Sequence, residues 1–455
     1  MKREFWKRKK TKRRKRAEAD RGIVDFIKVV KHFFTSLPDW ISEMEDPRNE
    51  SYILYTQSDL ICMGLLKNVC SVPSMRQMED LFNEECCIKT LAILSGNPEL
   101  EEMPHSDTLN YYLSRLSPEC LDGLRTRMVR SLIRSKNFNN ARLLDKYWRI
   151  ILDGTGLYVF HERHCDNCLK QLVNGEDGTK KTIYYHKVLE AKIVLGGGFV
   201  ISIGTEFIEN ESLDVTKQDC ELNAAKRLLP RIKEKFPRLP IILQADALYE
   251  AESMMELCRH EWGWEYLFTH KDGKQRYIGE EYNFLDDEDK TVVPLIGKEQ
   301  GHGKYFNGVE NITGKTEKMN LFEYKFTKVE DGEKKEYRFC WLTSIKLTRS
   351  NLAKMIESGR GRWQIENEGF NVQKNILYNI EHLNSRNPVA MKNHYLLTQI
   401  ADILMQLYLR SNEMVKEYRQ GIKNTSSRLL ESFRRQTVTV EDVLYIERRT
   451  SVYLE

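Results

Sequence analysis

The chain has 455 residues, 41% hydrophobic and 30% charged, the composition of an ordinary soluble protein with length for two or three domains. It has no run of about 18 apolar residues, so no membrane span is expected, and its N-terminus lacks the apolar core of a secretory leader. Ten cysteines scattered from Cys62 to Cys340 read as reduced thiols, which together with the missing leader gives a cytoplasmic protein as the expectation.

The net charge of +4 hides an uneven distribution. Residues 1–16 carry eleven Lys or Arg and one Glu, a local +10, which leaves −6 for residues 17–455. Residues 1–20 are expected to be a disordered basic tail, either drawn to polyanions or simply solvated. From Arg21 to Lys146 the pattern is helical. Ile23, Phe26, Ile27, Val30 and Phe33 recur at helical spacing, and Leu60 to Leu66 is apolar enough to be buried. Ser106 or Asp107 is the expected N-cap of a helix carrying Leu109, Tyr112, Leu113 and Leu116, and a second helix follows Pro118. Such a run of short helices either reads DNA or is a plain all-α domain.

At Tyr147 the pattern changes. Trp148-Arg149-Ile150-Ile151-Leu152 predicts a buried strand that meets a turn at Asp153-Gly154-Thr155-Gly156. Ile183–Leu195 and Phe199–Phe207 predict a hairpin around Gly196-Gly197-Gly198. An amphipathic helix over 217–235, a strand from Pro240 to Ala245 ending at Asp246, a helix from Glu250 and a strand over Trp264–Thr269 complete a mixed sheet covered by helices. Residues 271–347 read as a β-rich insertion. The domains expected are therefore a helical region over 21–146, a sheet domain made of 147–270 and 348–385, the insertion between those two pieces, and a helical C-terminal region over 386–455.

The stretch Gly361-Arg362-Trp363-Gln364-Ile365-Glu366-Asn367-Glu368-Gly369-Phe370 combines an arginine, a tryptophan and a carboxylate. On a regular helix Trp363, Glu366 and Phe370 share a face, while Glu368 lies roughly 200° round from Glu366 and points away. Glu366 is expected on a buried helix, held between arginine and aromatic. Two strand-end aspartates, Asp153 and Asp246, with a later helical glutamate, Glu366, are the hard oxygen donors that two-metal phosphoryl chemistry needs.

In that order, Asp153, Asp246 and Glu366 resemble the carboxylates of DDE transposases, in particular bacterial insertion-sequence transposases of the cut-and-paste type. Leu152-Asp153-Gly154-Thr155 is similar to their first-aspartate strand and Ala245-Asp246-Ala247-Leu248-Tyr249 to their second. Lys217-Gln218-Asp219-Cys220-Glu221 also looks like a family feature. The resemblance covers roughly residues 100 to 385. It implies an α/β fold of RNase H-like type, with flanking helices and a β-rich insertion before the glutamate helix. In the family's spaced Tyr, Arg, Glu, Lys pattern, Arg362 and Glu366 match. Gly359 stands at the tyrosine position and Gln373 at the lysine position, with Lys374 one residue later, rotated about 100°.

The resemblance implies metal-dependent cleavage at transposon ends followed by strand transfer. Asp153, Asp246 and Glu366 would hold two Mg²⁺ or Mn²⁺ ions, with Arg362 and Lys374 on phosphates. Trp363 is either near a displaced base or a core residue. The implied partners are terminal inverted repeats and target DNA, bound by a homodimer. Two other readings stay open, a transposase-derived DNA-binding protein without activity and a stand-alone metal-dependent nuclease.

One further cluster stands apart. His161-Glu162-Arg163-His164-Cys165-Asp166-Asn167-Cys168 packs two histidines and a Cys-x-x-Cys into eight residues, with His186 on the next strand as another candidate ligand. His161, His164, Cys165 and Cys168 could supply the N/S ligands of structural zinc. A redox pair or a chance grouping in a polar loop are the alternatives.

Overall fold

The computed structural model of the protein describes residues 21–174, 178–212, 215–271, 291–295, 301–309, 318–330, 333–411 and 421–448. The basic tail and parts of the expected insertion lie outside these residues. The chain forms two compact units that divide at 137/138 and 370/371. The two helical ends therefore belong to one unit, rather than to separate regions divided from the sheet domain at 146 and 385.

The first unit begins with α1 (Gly22–Phe33), α2 (Leu37–Ser42), α3 (Gln57–Val69), α4 (Met75–Phe82), α5 (Glu85–Ser95), α6 (Ser106–Leu113) and α7 (Pro118–Arg134). A capping box starts α3: the Asp59 N–H donates to Thr56 Oγ1 at 3.1 Å and the Thr56 N–H to Asp59 Oδ2 at 2.9 Å. The N-cap of α6 is His105, one residue before the expected Ser106 or Asp107. Its Nδ1 accepts from the Asp107 N–H at 3.2 Å, while the Ser106 N–H is taken by Glu79 Oε1 at 2.9 Å.

The second unit is built on a sheet of β1 (Trp148–Phe160), β2 (Leu169–Asn174), β3 (Lys180–Val194), β4 (Val200–Ile208), β5 (Ile241–Ala245), β6 (Glu265–Thr269), β7 (Thr291–Leu295), β8 (Gly301–Val309), β9 (Met319–Glu330) and β10 (Glu333–Thr343). Its order is β2-β3-β1-β5-β6-β10-β9-β8-β7, with β4 also paired to β3. β1 and β3 are antiparallel, as are β3 and β4, whereas β5 runs parallel to β1 and β6 parallel to β5. β3 is long enough to carry β2 along its first half and β4 along its second. The β3–β4 hairpin turns on Gly196, Gly197 and Gly198, all at positive φ (93°, 52° and 73°), where a side chain would be strained.

Two expectations are corrected here. β1 does not turn at Asp153–Gly156 but continues to Phe160, because the backbone there pairs with Lys187–Glu190 of β3 and has no need of a local turn. The β-rich segment is also no separate body, since β10 pairs with β6 and the insertion simply widens the sheet.

α8 (Glu221–Lys235) packs on β4, where a Cβ on Gly204 would lie 2.9 Å from Leu228 and 3.0 Å from Ile232. α9 (Glu252–Glu256) lies between β5 and β6 in the chain, and α10 (Leu352–Arg360) follows the widened sheet. Leu352, Met355 and Ile356 of α10 are buried with Ile242, Leu267, Phe322 and Trp341 in one apolar cluster. After residue 370 the chain rejoins the helical unit through α11 (Pro388–Ser411), α12 (Ile422–Arg435) and α13 (Val440–Arg448). α3 and α11 meet at Gly64, whose Cβ would stand 2.5 Å from Leu397 Cδ2. Among the described residues no helix is long and apolar enough to cross a membrane.

A Cβ on Gly359 would lie 2.6 Å from the Trp341 indole, while one on Gly156 meets nothing within 4 Å. Gly359→Ala is expected to destabilise the protein by about 1–3 kcal/mol through overpacking. Gly156→Ala should be neutral or stabilising by up to about 1 kcal/mol. Urea unfolding of both variants beside wild type checks the contrast.

Candidate active site

β1 sets Asp153 in the middle of the sheet, between β3 and β5. Its Cα partner on β3 is Glu190. The parallel register Ile151↔Gln244 places Asp246, just past the end of β5, level with it. Asp246 caps the short turn Ala247–Tyr249, its Oδ1 accepting from the Leu248 N–H at 2.8 Å. The segment beyond is pinned by a buried pair, Glu250 Oε1 with His270 Nδ1 at 2.6 Å.

The segment carrying Glu366 is not the regular helix expected. A 3₁₀ turn over Gly361–Trp363 follows α10, and a wide turn over Ile365–Phe370 comes next. An i→i+5 turn returns Phe370, and not Gly369 alone, to the face of Ile365. Ile365 and Phe370 are accordingly buried against Ile151, Val194 and Val200. Glu366 and Trp363 are exposed, Trp363 by 54%, so neither the buried glutamate nor the shared face with Phe370 is found. Trp363 is not a core residue. It lies beside Arg362, whose guanidinium is 5.6 Å from its ring centroid.

Arg362 pairs with Asp153, donating from Nη1 to Oδ2 at 3.3 Å. Burial pushes the Asp153 carboxyl up from the ordinary 3.8 to about 6. Arg362 and the Gly154 N–H, which donates to Oδ1 at 2.9 Å, oppose that rise, while the negative charges of Glu221 and Glu366 add to it. Glu368 is exposed. Tyr249 senses the same charge. Its phenol is raised by burial and then by Glu221, Asp153 and Asp246, and its hydroxyl donates to Glu221 Oε2 at 3.3 Å.

Glu221 is thus a fourth carboxylate of this cluster, which the sequence pointed to only as part of a resembling segment. It opens α8 and is paired with Lys187 of β3. A Cβ on Gly154 would lie 2.6 Å from its carboxyl carbon, so the glycine after Asp153 is what admits it. That glycine, read as a turn former, was the available signal. Asp219 steadies the approach to α8, held by Arg227 Nη2 at 2.6 Å and by the Glu209 N–H at 3.2 Å.

Other expected residues fall elsewhere. Lys374 belongs to the helical unit and pairs with Glu381 at 2.8 Å. Gln373 is buried there, its Nε2 donating to Gln399 and Asp402 at 3.0 Å each. At the tyrosine position, the Trp341 indole occupies the space a side chain on Gly359 would need. In the Cys/His cluster, Cys165 and Cys168 come together with His186, while His161 is exposed and His164 stacks on Phe160 at 4.5 Å. In the helical unit, Arg127, Arg130, Ser131 and Arg134 of α7 line a cavity of about 330 Å³ with Trp40.

The charge at Asp153 has a pH signature. Between 3.8 and about 6 the unfolded chain gives up the proton that folded Asp153 keeps, so stability falls across that window and levels off above it. Asp153→Asn is expected to stabilise the protein by about 2 kcal/mol near neutral pH, to change little below 3.8, and to flatten the slope between. Urea unfolding in chelator across that pH range checks it.

No protein-family model matches the chain, and no curated protein does. Among solved structures, a cryo-EM structure of the piggyBac transposase synaptic complex with hairpin DNA matches at 12% identity over 94% of this chain and 84% of that one, with a TM-score of 0.41. So weak a likeness fixes neither the fold nor the chemistry of this chain.

Proposed function

We propose that the chain is a DNA transposase that cuts phosphodiesters at transposon ends and joins them to target DNA through Asp153, Asp246 and Glu366. The observation that carries this reading is that several carboxylates from separate elements act electrostatically on one another around Asp153 of the central strand. Asp153 feels both Glu221 and Glu366, Tyr249 feels Asp153, Glu221 and Asp246, and one arginine, Arg362, pairs with Asp153. A site that crowds negative charge beyond what its cations neutralise suits divalent metal better than proton chemistry alone. The strand order β4-β3-β1-β5-β6, antiparallel as far as β1 and parallel beyond it, supports the RNase H-like reading of the fold.

The donors, all oxygen, suit Mg²⁺ or Mn²⁺ in kind, but among the described residues they are not gathered within ligand distance of one another, so they would have to close on the ions. Asp153, Asp246 and Glu366 would hold the ions, with Glu221 as a further acidic neighbour. Bound there, two such ions supply Lewis-acid activation of an attacking oxygen and stabilisation of a leaving one. The chain's own residues do the positioning. Arg362 can turn its remaining N–H groups to a phosphate while it holds Asp153. Trp363, exposed beside it, offers a ring face to an unpaired base. The Glu366 segment, fixed through Ile365 and Phe370, presents its carboxylate from a packed support.

DNA is the substrate this reading favours. The arginines of α7 and the basic residues 1–16 would meet the phosphate backbone, a contact without sequence information of its own. Cleavage by water leaves a 3′-hydroxyl, and that hydroxyl is the nucleophile on target DNA. Joining two ends calls for two protomers on DNA.

The test is a cleavage and strand-transfer assay on the flanking inverted repeats with Mg²⁺, comparing wild type with Glu366→Gln and Asp246→Asn. Both variants should bind the ends yet lose cutting by about 10²–10³-fold, the scale on which loss of transition-state charge stabilisation acts. Binding without cutting by wild type would leave the inactive DNA-binding reading. Cutting without end specificity would leave the nuclease. Full cutting by Glu366→Gln would remove Glu366 from the site.

A further inference from the structure

The cluster of Cys165, Cys168 and His186 lies apart from the carboxylates in role, and the proposed DNA chemistry makes no use of it. Cys165 Sγ and Cys168 Sγ are 3.6 Å apart, and each lies 3.4 Å from His186 Nε2. Those three separations can be compared with a tetrahedral ion. With Zn–S near 2.3 Å and Zn–N near 2.0 Å, tetrahedral angles put two sulfurs about 3.8 Å apart and a sulfur and a nitrogen about 3.5 Å apart. The three atoms thus already form one nearly equilateral face of such a site, slightly contracted. A disulfide would need the two sulfurs about 2.05 Å apart. Both cysteines are free thiols, and Cys168 is fully buried.

The surroundings hold this face in place. The Cys165–Cys168 loop closes on itself, the Cys168 N–H donating to the Cys165 carbonyl at 3.3 Å and the Cys165 N–H to Cys168 Sγ at 3.4 Å. An amide directed at a cysteine sulfur stabilises the thiolate that a metal requires. Asn210, itself buried, fastens the loop from outside. Its Nδ2 donates to the Cys168 carbonyl at 3.0 Å, and it exchanges bonds with Asn167 at 2.9 and 3.1 Å. His186 comes from β3, a rigid support, with Nε2 toward the sulfurs and Nδ1 3.9 Å from Glu209 Oε1. A carboxylate on the far nitrogen is the usual partner of a metal-bound imidazole.

The geometry points to a zinc site with Cys165 and Cys168 as thiolate ligands and His186 Nε2 as the third, the fourth position being filled from outside this trio. Binding releases the two thiol protons to solvent and changes no oxidation state. The ion ties the loop after β1 to β3, and so clamps the far end of the strand that carries Asp153. Of the four residues expected from the sequence, the two cysteines stay in the ligand set, and His186 takes the place of His161 and His164.

The experiment measures metal in the full chain, purified with reductant and dialysed against metal-free buffer. About one zinc per chain is expected by mass spectrometry. Cobalt(II) exchanged into the protein should show thiolate charge-transfer bands and the intense visible bands of a tetrahedral ion. His186→Ala and Cys168→Ser should lose the metal, whereas His161→Ala and Cys220→Ser keep it. If the ligand variants fail to fold, wild type still decides the matter, because thiol modification must release zinc as Cys165 and Cys168 react. Wild type without stoichiometric zinc would overturn the site, as would unchanged zinc in His186→Ala or a metal-free Cys165–Cys168 disulfide. Loss of zinc without loss of DNA cleavage would leave the transposase reading standing, so the two proposals fail separately.

Discussion

The constraint on which the sheet unit turns is negative charge gathered at one place on its central strand. Burial is the largest cause raising the Asp153 carboxyl to about 6, and two further carboxylates press in the same direction against a single arginine partner. No folding advantage explains such an arrangement, since each ionised neighbour makes the next more costly. The surrounding elements serve to impose it. A central strand flanked on both sides, a parallel neighbour ending level with Asp153, and a packed segment delivering Glu366 all hold acidic groups that would otherwise separate.

Two glycines decide how closely the parts approach. Gly154 leaves room for Glu221 against β1, and Gly359 lets α10 lie on Trp341. A larger side chain at 359, such as tyrosine, would have to occupy the volume of the indole. Gln373 is buried in an amide and carboxylate network with Gln399 and Asp402, which fixes it within the helical unit.

The irregular turns around Glu366 separate support from display. Over Gly361–Phe370 the chain tightens and then widens, so Ile365 and Phe370 go to the core and Arg362 turns to Asp153 while Trp363 and Glu366 reach outward. A regular helix would have buried or exposed them together with Phe370. Wide turns of this kind recur at functional sites, where a local change of pitch re-aims side chains without breaking the helix.

Residue patterns alone determined the elements whose signals are local. The helices at both ends, the glycine hairpin and the strands over 148–152 and 241–245 were all legible, because periodicity and turn chemistry act between near neighbours. What depended on distant partners was not legible. The continuation of β1 past Asp153-Gly154 required β3 to satisfy its backbone, and the merging of the insertion into the sheet required β6. The pairing of Arg362 with Asp153, the arrival of Glu221 at Gly154, and the choice of His186 over two nearer histidines join residues 209, 67 and 18 positions apart. Composition and spacing carry no information on which of several like residues will meet across such gaps; only the packed sheet, by fixing register and face, decides it.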